Sequence, residues 1–108
     1  MTEITEFGRF NMIYKEGDIT LYYVNEFGQD WYEMQWALAR WNTDNGVFID
    51  SIYGAWAMVD DDGVVASTDR DPTRLSPREH RILGIDADPE KVKLGMVYKD
   101  GELHESAN

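Results

Sequence analysis

The sequence predicts an α+β fold, with a mainly antiparallel sheet of five to seven short strands and one helix near residues 30–42. Segments rich in β-branched and aromatic residues alternate with Gly- and Asp-containing turns, which is typical of strands. Residues 31–41 contain strong helix formers and no Gly or Pro. A chain of 108 residues has room for one core. We therefore expect a single domain over 1–108, with flexible ends near 1–6 and 103–108.

Residues 9–25 predict the first two strands and the turn between them. Phe10, Met12 and Tyr14 alternate with polar neighbours, apart from Ile13, as expected of a half-buried strand. The Glu-Gly-Asp segment at 16–18 supplies the turn, because glycine tolerates positive φ. The stretch ITLYYV that follows is β-branched and aromatic, which favours a second strand paired with the first.

The helix is predicted in the stretch NEFGQDWYEMQWALARWN, residues 25–42, which holds three of the four tryptophans. A turn centred on Gly28 precedes it. Asp30 then stands three residues before Glu33, which is the spacing of a capping box. Apolar residues at every third or fourth position form one helical stripe that we expect to be buried in the core. Its members are Trp31, Met34, Leu38 and Trp41.

Trp36 is not explained by that stripe, because it lies on another face of the helix. Tyr32 precedes Trp36 by four residues, so both side chains can share the far face of the helix. Tryptophan is enriched in interface hot spots. Two hypotheses remain open: the pair forms a contact patch for a protein partner or a second copy of the chain, or a strand or loop of the same chain covers it.

The second half predicts further strands. Residues 46–53 are largely apolar, Gly54 breaks the run, and AWAMV follows with Trp56 and Met58 on one face and small alanines on the other. Asp61-Asp62-Gly63 predicts a hairpin, after which VVAST continues as a strand. The remainder predicts, in order, a loop at 69–76, a short strand in HRILGID, one helical turn begun by Pro89, and a closing strand with a turn at 99–101 and a frayed end.

The sequence contains no catalytic or metal-binding motif. The run Asp60–Asp62 lacks the alternating ligands and the distal glutamate of an EF-hand, so it predicts a solvated hairpin tip. His80 and His104, the two histidines, have no second histidine at a ligand spacing, and no nucleophile elbow surrounds Ser76. The lack of cysteine excludes disulfides and thiolate metal sites. We expect no enzymatic activity, metal or cofactor.

The charge of the chain limits its partners. A net charge of −11, from 21 acidic and 10 basic residues, repels nucleic acids and anionic membranes, so direct binding to either is not expected. The charge serves solubility, or it imitates DNA phosphates in an acidic inhibitor of a basic host protein. No apolar run approaches the roughly 18 residues of a membrane span, and the N-terminus does not read as a signal peptide. A cytoplasmic location is predicted.

Three segments resemble small proteins encoded beside the tail-fibre genes of tailed bacteriophages, of the tail-fibre-assembly kind. In LYYVNEFGQDWYEMQ an aromatic strand precedes a Gly-x-Asp-Trp-Tyr pattern. In VDDDGVVASTDRDPTRLSPREHRILGID an Asp-Gly hairpin precedes a Leu-x-Pro loop, and LGMVYKDGEL is similar to their closing strand. Together these segments contain 53 of the 108 residues, about half of the chain. The matching residues are Gly28, Asp30, Trp31, Tyr32, Asp62, Gly63, Leu75, Pro77, Gly95, Val97, Tyr98, Asp100 and Gly101.

This resemblance implies a non-enzymatic phage accessory protein, without a cofactor, that binds a tail or tail-fibre protein. Its role would be that of a chaperone-like assembly factor or a minor structural component, located in the host cytoplasm or on the virion. The competing hypothesis is the acidic inhibitor, which would bind a basic host defence or nucleic-acid-binding protein. The two differ in salt dependence, because a charge mimic loses affinity steeply as salt rises and an aromatic interface does not.

Overall fold

The computed structural model describes residues 3–14, 21–42 and 44–105. Its helix and strands, in chain order, are β1 (Ile4–Tyr14), β2 (Leu21–Asn25), α1 (Trp31–Leu38), β3 (Ala39–Trp41), β4 (Phe48–Ser51), β5 (Ala55–Val59), β6 (Val65–Asp69), β7 (His80–Ile85), β8 (Val97–Lys99) and β9 (Glu102–His104). Two 3-10 turns, Pro72–Arg74 and Pro89–Lys91, lie in the connections that flank β7. The predicted turn at 16–18 lies outside the described residues.

The predicted α+β class is confirmed. Five strands form one antiparallel sheet in the order β2-β1-β7-β5-β6, and two small sheets, β3-β4 and β8-β9, lie beside it. The described residues contain nine strands rather than five to seven. The prediction missed β3, which lies in the segment predicted to be helical, and β9, which lies in the segment predicted to fray.

The main sheet reaches into the end segments that the sequence predicts to be flexible. Ile4 of β1 pairs with Ile85 of β7, and β7 lies between β1 and β5 at the centre of the sheet. At the other end of the chain, the residues predicted to fray include His104, which pairs with Val97. Residues 1, 2 and 106–108 lie outside the described part of the chain.

The prediction that the helix continues to residue 42 is wrong. Its start is as predicted, since the Asp30 carboxylate accepts the backbone N–H of Glu33 at 3.1 Å. Its end is Leu38, because Ala39 is already extended, with φ −126° and ψ 156°. Residues 39–41 pair instead with β4, and Trp41 aligns with Phe48. Strand pairing here outweighs the helix propensity of the segment.

Both faces of the main sheet are covered at β5, where every residue is buried. Trp56 and Met58 face α1, whereas Ala55, Ala57 and Val59 face the segment that carries β8 and β9. The α1 side contains the larger rings. Its buried members are Phe10, Trp31, Trp56, Met58, Leu75 and Ile82, with Met34 and Leu38 packed at its margin. The predicted burial of Trp31 is confirmed, at 3% exposure, while Leu38 and Trp41 are half-buried.

Gly54 marks a close contact between two backbone segments. A β-carbon built at this position would overlap the carbonyl oxygen of Ala87. At an unhindered site, Gly→Ala stabilises a protein by about 0.4–1 kcal/mol by restricting the unfolded chain. Here we expect Gly54→Ala to lower the free energy of unfolding by about 1–3 kcal/mol, because backbone must shift to make room. Urea denaturation measures the sign of the change in the free energy of unfolding. A variant more stable than the wild type would contradict the close contact.

Candidate functional site

Tyr32 and Trp36 lie together on the outer face of α1. Tyr32 is 64% exposed and Trp36 is 52% exposed. Their ring centroids are 6.1 Å apart in an edge-to-face arrangement. The predicted shared face is therefore present, and each of the two rings is more than half exposed.

The exposed pair continues into a longer row of rings. The centroid of Trp36 lies 5.2 Å from that of Trp41, and Trp41 lies 5.5 Å from Phe48 in an edge-to-face contact. We refer to Tyr32, Trp36, Trp41 and Phe48 as the aromatic strip. It crosses from the helix onto the β3–β4 hairpin. The indole N–H of Trp41 is buried and has no hydrogen-bond partner among the described residues.

Phe48 does not stand out in the sequence as a member of this site, and the helical pattern predicts Trp41 in the buried stripe. Only the hairpin brings the two rings together, since Trp41 and Phe48 are aligned across β3 and β4. A usable signal was present in Asn45-Gly46, because this dipeptide favours a tight hairpin turn. Gly46 has a φ of +70°, in agreement with that preference.

Arg70 fixes the far end of the aromatic strip to the main sheet. Its guanidinium carbon lies 5.0 Å from the centroid of the Phe48 ring, within the range of a cation–π contact. One of its N–H groups also donates to the backbone carbonyl of Ile49 at 2.9 Å. Because Arg70 directly follows β6, these contacts tie the small hairpin to the edge of the large sheet.

The hairpin also carries an ion pair between neighbouring strands. The Nε of Arg40 lies 2.7 Å from a carboxylate oxygen of Asp50, and a second N–H of the same guanidinium donates to the other oxygen. The hydrogen bonding from Arg40 is the main reason that the pKa of Asp50 lies below its usual range. This exposed pair fixes register more than it adds stability. Three large aliphatic side chains on or beside the hairpin are exposed: Val47, Ile49 and Ile52.

A groove of about 540 Å³ lies beside the helical end of the aromatic strip. We call it the tyrosine groove, after Tyr22, Tyr23 and Tyr32 in its lining; Asp30, Glu33 and Leu75 are also among its walls. Trp31 also lines the groove, and its indole N–H donates to the carbonyl of Leu75 at 3.1 Å. Gln35, buried on the same helix, donates to the carbonyl of Pro72 at 3.3 Å.

The other candidate groups of the sequence have structural partners. In the acidic hairpin tip, Asp60 accepts the backbone N–H groups of Asp62 and Val64 at 2.9 and 3.0 Å. Asp61 pairs with Arg9 at 2.9 Å, and that hydrogen bond lowers the pKa of Asp61. His80 lies in β7 with its Nδ1 2.6 Å from the carbonyl of Arg78, so Nδ1 is the donor.

The described part of the chain contains neither a cluster of metal-ligating side chains nor a helix long enough to span a membrane. There, no group of three or more His, Cys, Asp or Glu side chains is placed to hold a metal ion. The single α-helix found there, of eight residues, is too short to cross a membrane.

The chain was compared with family models, with curated proteins and with solved structures, and none of the three comparisons found a match.

Proposed function

We propose that this protein is a non-enzymatic interaction protein that binds another protein through the aromatic strip. The observation that carries the proposal is the exposure of Tyr32 and Trp36, which together present two large rings on one helix face. Large aromatic side chains are enriched in the centres of protein interfaces, because they bury much apolar area and still offer a polar atom.

The contacts between the rings of the strip restrict their side-chain motion, which favours binding of a partner. Each ring is held by a neighbouring ring, and the row ends at Arg70, so that little side-chain freedom is left to lose when a partner binds. Rigid aromatic anchors of this kind are favourable contact residues for that reason. The exposed Val47 and Ile49 extend the apolar surface along the hairpin.

The partner that we propose is a tail or tail-fibre protein of a tailed bacteriophage. The support for this choice is the resemblance of the three sequence segments given above, which include Asp30, Trp31 and Tyr32. The role is that of an assembly factor or minor structural component. A second copy of the chain is the alternative occupant of the same surface, and the experiment below distinguishes the two.

Trp36→Ala is expected to weaken partner binding while the fold is retained. Truncation of a hot-spot tryptophan reduces affinity by about 2 kcal/mol or more, which is roughly 30-fold. The free energy of unfolding should fall by only about 1 kcal/mol, because the substitution removes two ring contacts at a half-exposed site. Co-purification and calorimetric titration with the tail and fibre proteins of the same genome measure the first effect, and thermal unfolding measures the second.

Phe27→Ala is the matched control. Phe27 is an exposed aromatic residue in the turn before α1 and takes no part in the aromatic strip. It should leave binding unchanged. Sedimentation equilibrium of the protein alone tests the second-copy alternative, in which Trp36→Ala dissociates an oligomer. A loss of several kcal/mol of stability in Trp36→Ala, or equal binding losses in both variants, would contradict the proposal.

The salt dependence of binding separates this function from the acidic inhibitor. An interface centred on the aromatic strip should keep its affinity within a few-fold between 50 and 500 mM salt, since apolar contacts are not screened. An imitation of DNA phosphates would lose affinity by orders of magnitude over the same range, as protein–DNA contacts do.

A further inference from the structure

We infer that the tyrosine groove receives an arginine side chain of the partner that is bound on the aromatic strip. This inference rests on the proposed function and adds the chemistry of one contact. Its basis is the combination of an open aromatic cavity, a one-sided charge in its lining and a shared wall with the strip.

The groove has the size and lining of a side-chain pocket. Its volume of about 540 Å³ falls within the roughly 300–1,000 Å³ of typical ligand sites. Tyrosine residues from β2 and α1 form its walls, and Tyr32 is exposed above it. Faces of aromatic rings attract cations, and a planar guanidinium can also stack on them.

The charged groups of the lining are of one sign. Asp30 and Glu33 contribute carboxylates, and no Lys, Arg or His is among the described lining residues. Arg74 lies in the adjacent 3-10 turn but does not line the groove. Glu33 is exposed, and none of the ion pairs among the described residues includes it.

The N-terminus of α1 opens toward the same place and must be included in the electrostatics. A helix N-terminus carries a partial positive charge that would disfavour a cation. In α1 the Asp30 carboxylate accepts the N–H of Glu33, so one negative side chain already lies on that terminus. The exposed Glu33 carboxylate in the first turn adds a second. The partial charge of the helix N-terminus and the two carboxylates together give the groove a negative charge, which favours a guanidinium.

The position of the groove connects it to the aromatic strip. Tyr32 belongs to both, with its ring edge-to-face with Trp36 on one side and the groove on the other. A partner segment that lies along the strip and contacts Tyr32 therefore lies next to the groove. An arginine of that segment is therefore placed beside the groove.

The test uses the peptide acetyl-Gly-Arg-Gly-amide and its citrulline analogue, which has the same shape without the charge. Binding is followed through the indole N–H signals of the intact protein by NMR. The arginine peptide should shift the signal of Trp31, which lines the groove, with a dissociation constant on the order of millimolar. The citrulline peptide should bind at least roughly threefold more weakly, because the cation–π and ionic contacts are lost.

Glu33→Gln should weaken the binding of the arginine peptide by roughly two- to fivefold, as expected of one exposed ionic contact. Glu90→Gln, which removes an equal charge from the exposed 3-10 turn Pro89–Lys91, should have no effect. An unmoved Trp31 signal, equal binding of the two peptides, or equal effects of the two variants would overturn the inference. A shift confined to Trp36 and Trp41 would place the peptide on the strip and would overturn the inference without affecting the proposed function.

Discussion

Trp56→Ala is expected to destabilise the fold by about 3–5 kcal/mol. Trp56 is 0% exposed and belongs to the core on the α1 side of the sheet. The rings of Phe7, Trp31 and Tyr53 surround it at centroid distances of 5.5, 5.8 and 5.2 Å. Such a loss is a large part of the roughly 5–15 kcal/mol by which domains are stable. Urea denaturation followed by circular dichroism measures it.

The matched variant is Trp56→Phe, which keeps a ring in the same space. It should cost clearly less than the alanine variant, although it removes the indole N–H that donates to the hydroxyl of Ser51 at 2.9 Å. If the alanine and phenylalanine variants were equally stable, or if Trp56→Ala left the transition midpoint unchanged, the position of this side chain in the core would be wrong.

Trp31→Ala is expected to cost about 3–5 kcal/mol as well, for a different reason. Trp31 joins α1 to the sheet through Phe10 and Trp56, whose centroids lie 5.5 and 5.8 Å away. It also holds the loop after Pro72–Arg74 through its hydrogen bond to Leu75. Truncation leaves a cavity under the helix and an unsatisfied carbonyl. Thermal unfolding measures this loss, and the helical circular dichroism signal should disappear in the same transition as the rest of the fold.

Trp36→Ala is the control for this experiment, because it removes the same side chain five positions further along the same helix. The two variants should differ by about 2 kcal/mol or more in the free energy of unfolding, since only Trp31 is fully enclosed. Equal stabilities would show that burial on α1 has been assigned to the wrong face.

Features of the fold that depend on neighbouring residues could be predicted from the sequence. The cap at Asp30 and the start of the 3-10 turn at Pro89 follow from side chains that act on their own backbone. The hairpin at Asp61 and Asp62 follows from the same kind of local preference, and Trp31 was assigned to the core from helical periodicity alone. Each of these rests on interactions that span only a few residues.

Features that depend on distant residues could not be predicted in this way. Helical periodicity placed Trp41 in the core, but pairing with Phe48 moves it to the aromatic strip. The burial of Ala55 and Ala57 requires a second layer, which comes from the far end of the chain. The tyrosine groove is likewise formed by β2, α1 and the loop that carries Leu75. No local pattern in any one of these segments encodes a cavity between them.

The central place of β7 in the main sheet has a consequence for how the chain folds during synthesis. Its neighbours β1 and β5 are made first, yet contacts such as that between Glu6 and Arg81 join residues 75 positions apart. Until the ribosome has released residues 80–85, both earlier strands lack the partner that lies between them. Long-range pairing of this kind slows folding and leaves strand edges open to other nascent chains. The main sheet can therefore be completed only after the ribosome has synthesised β7, in the last third of the chain.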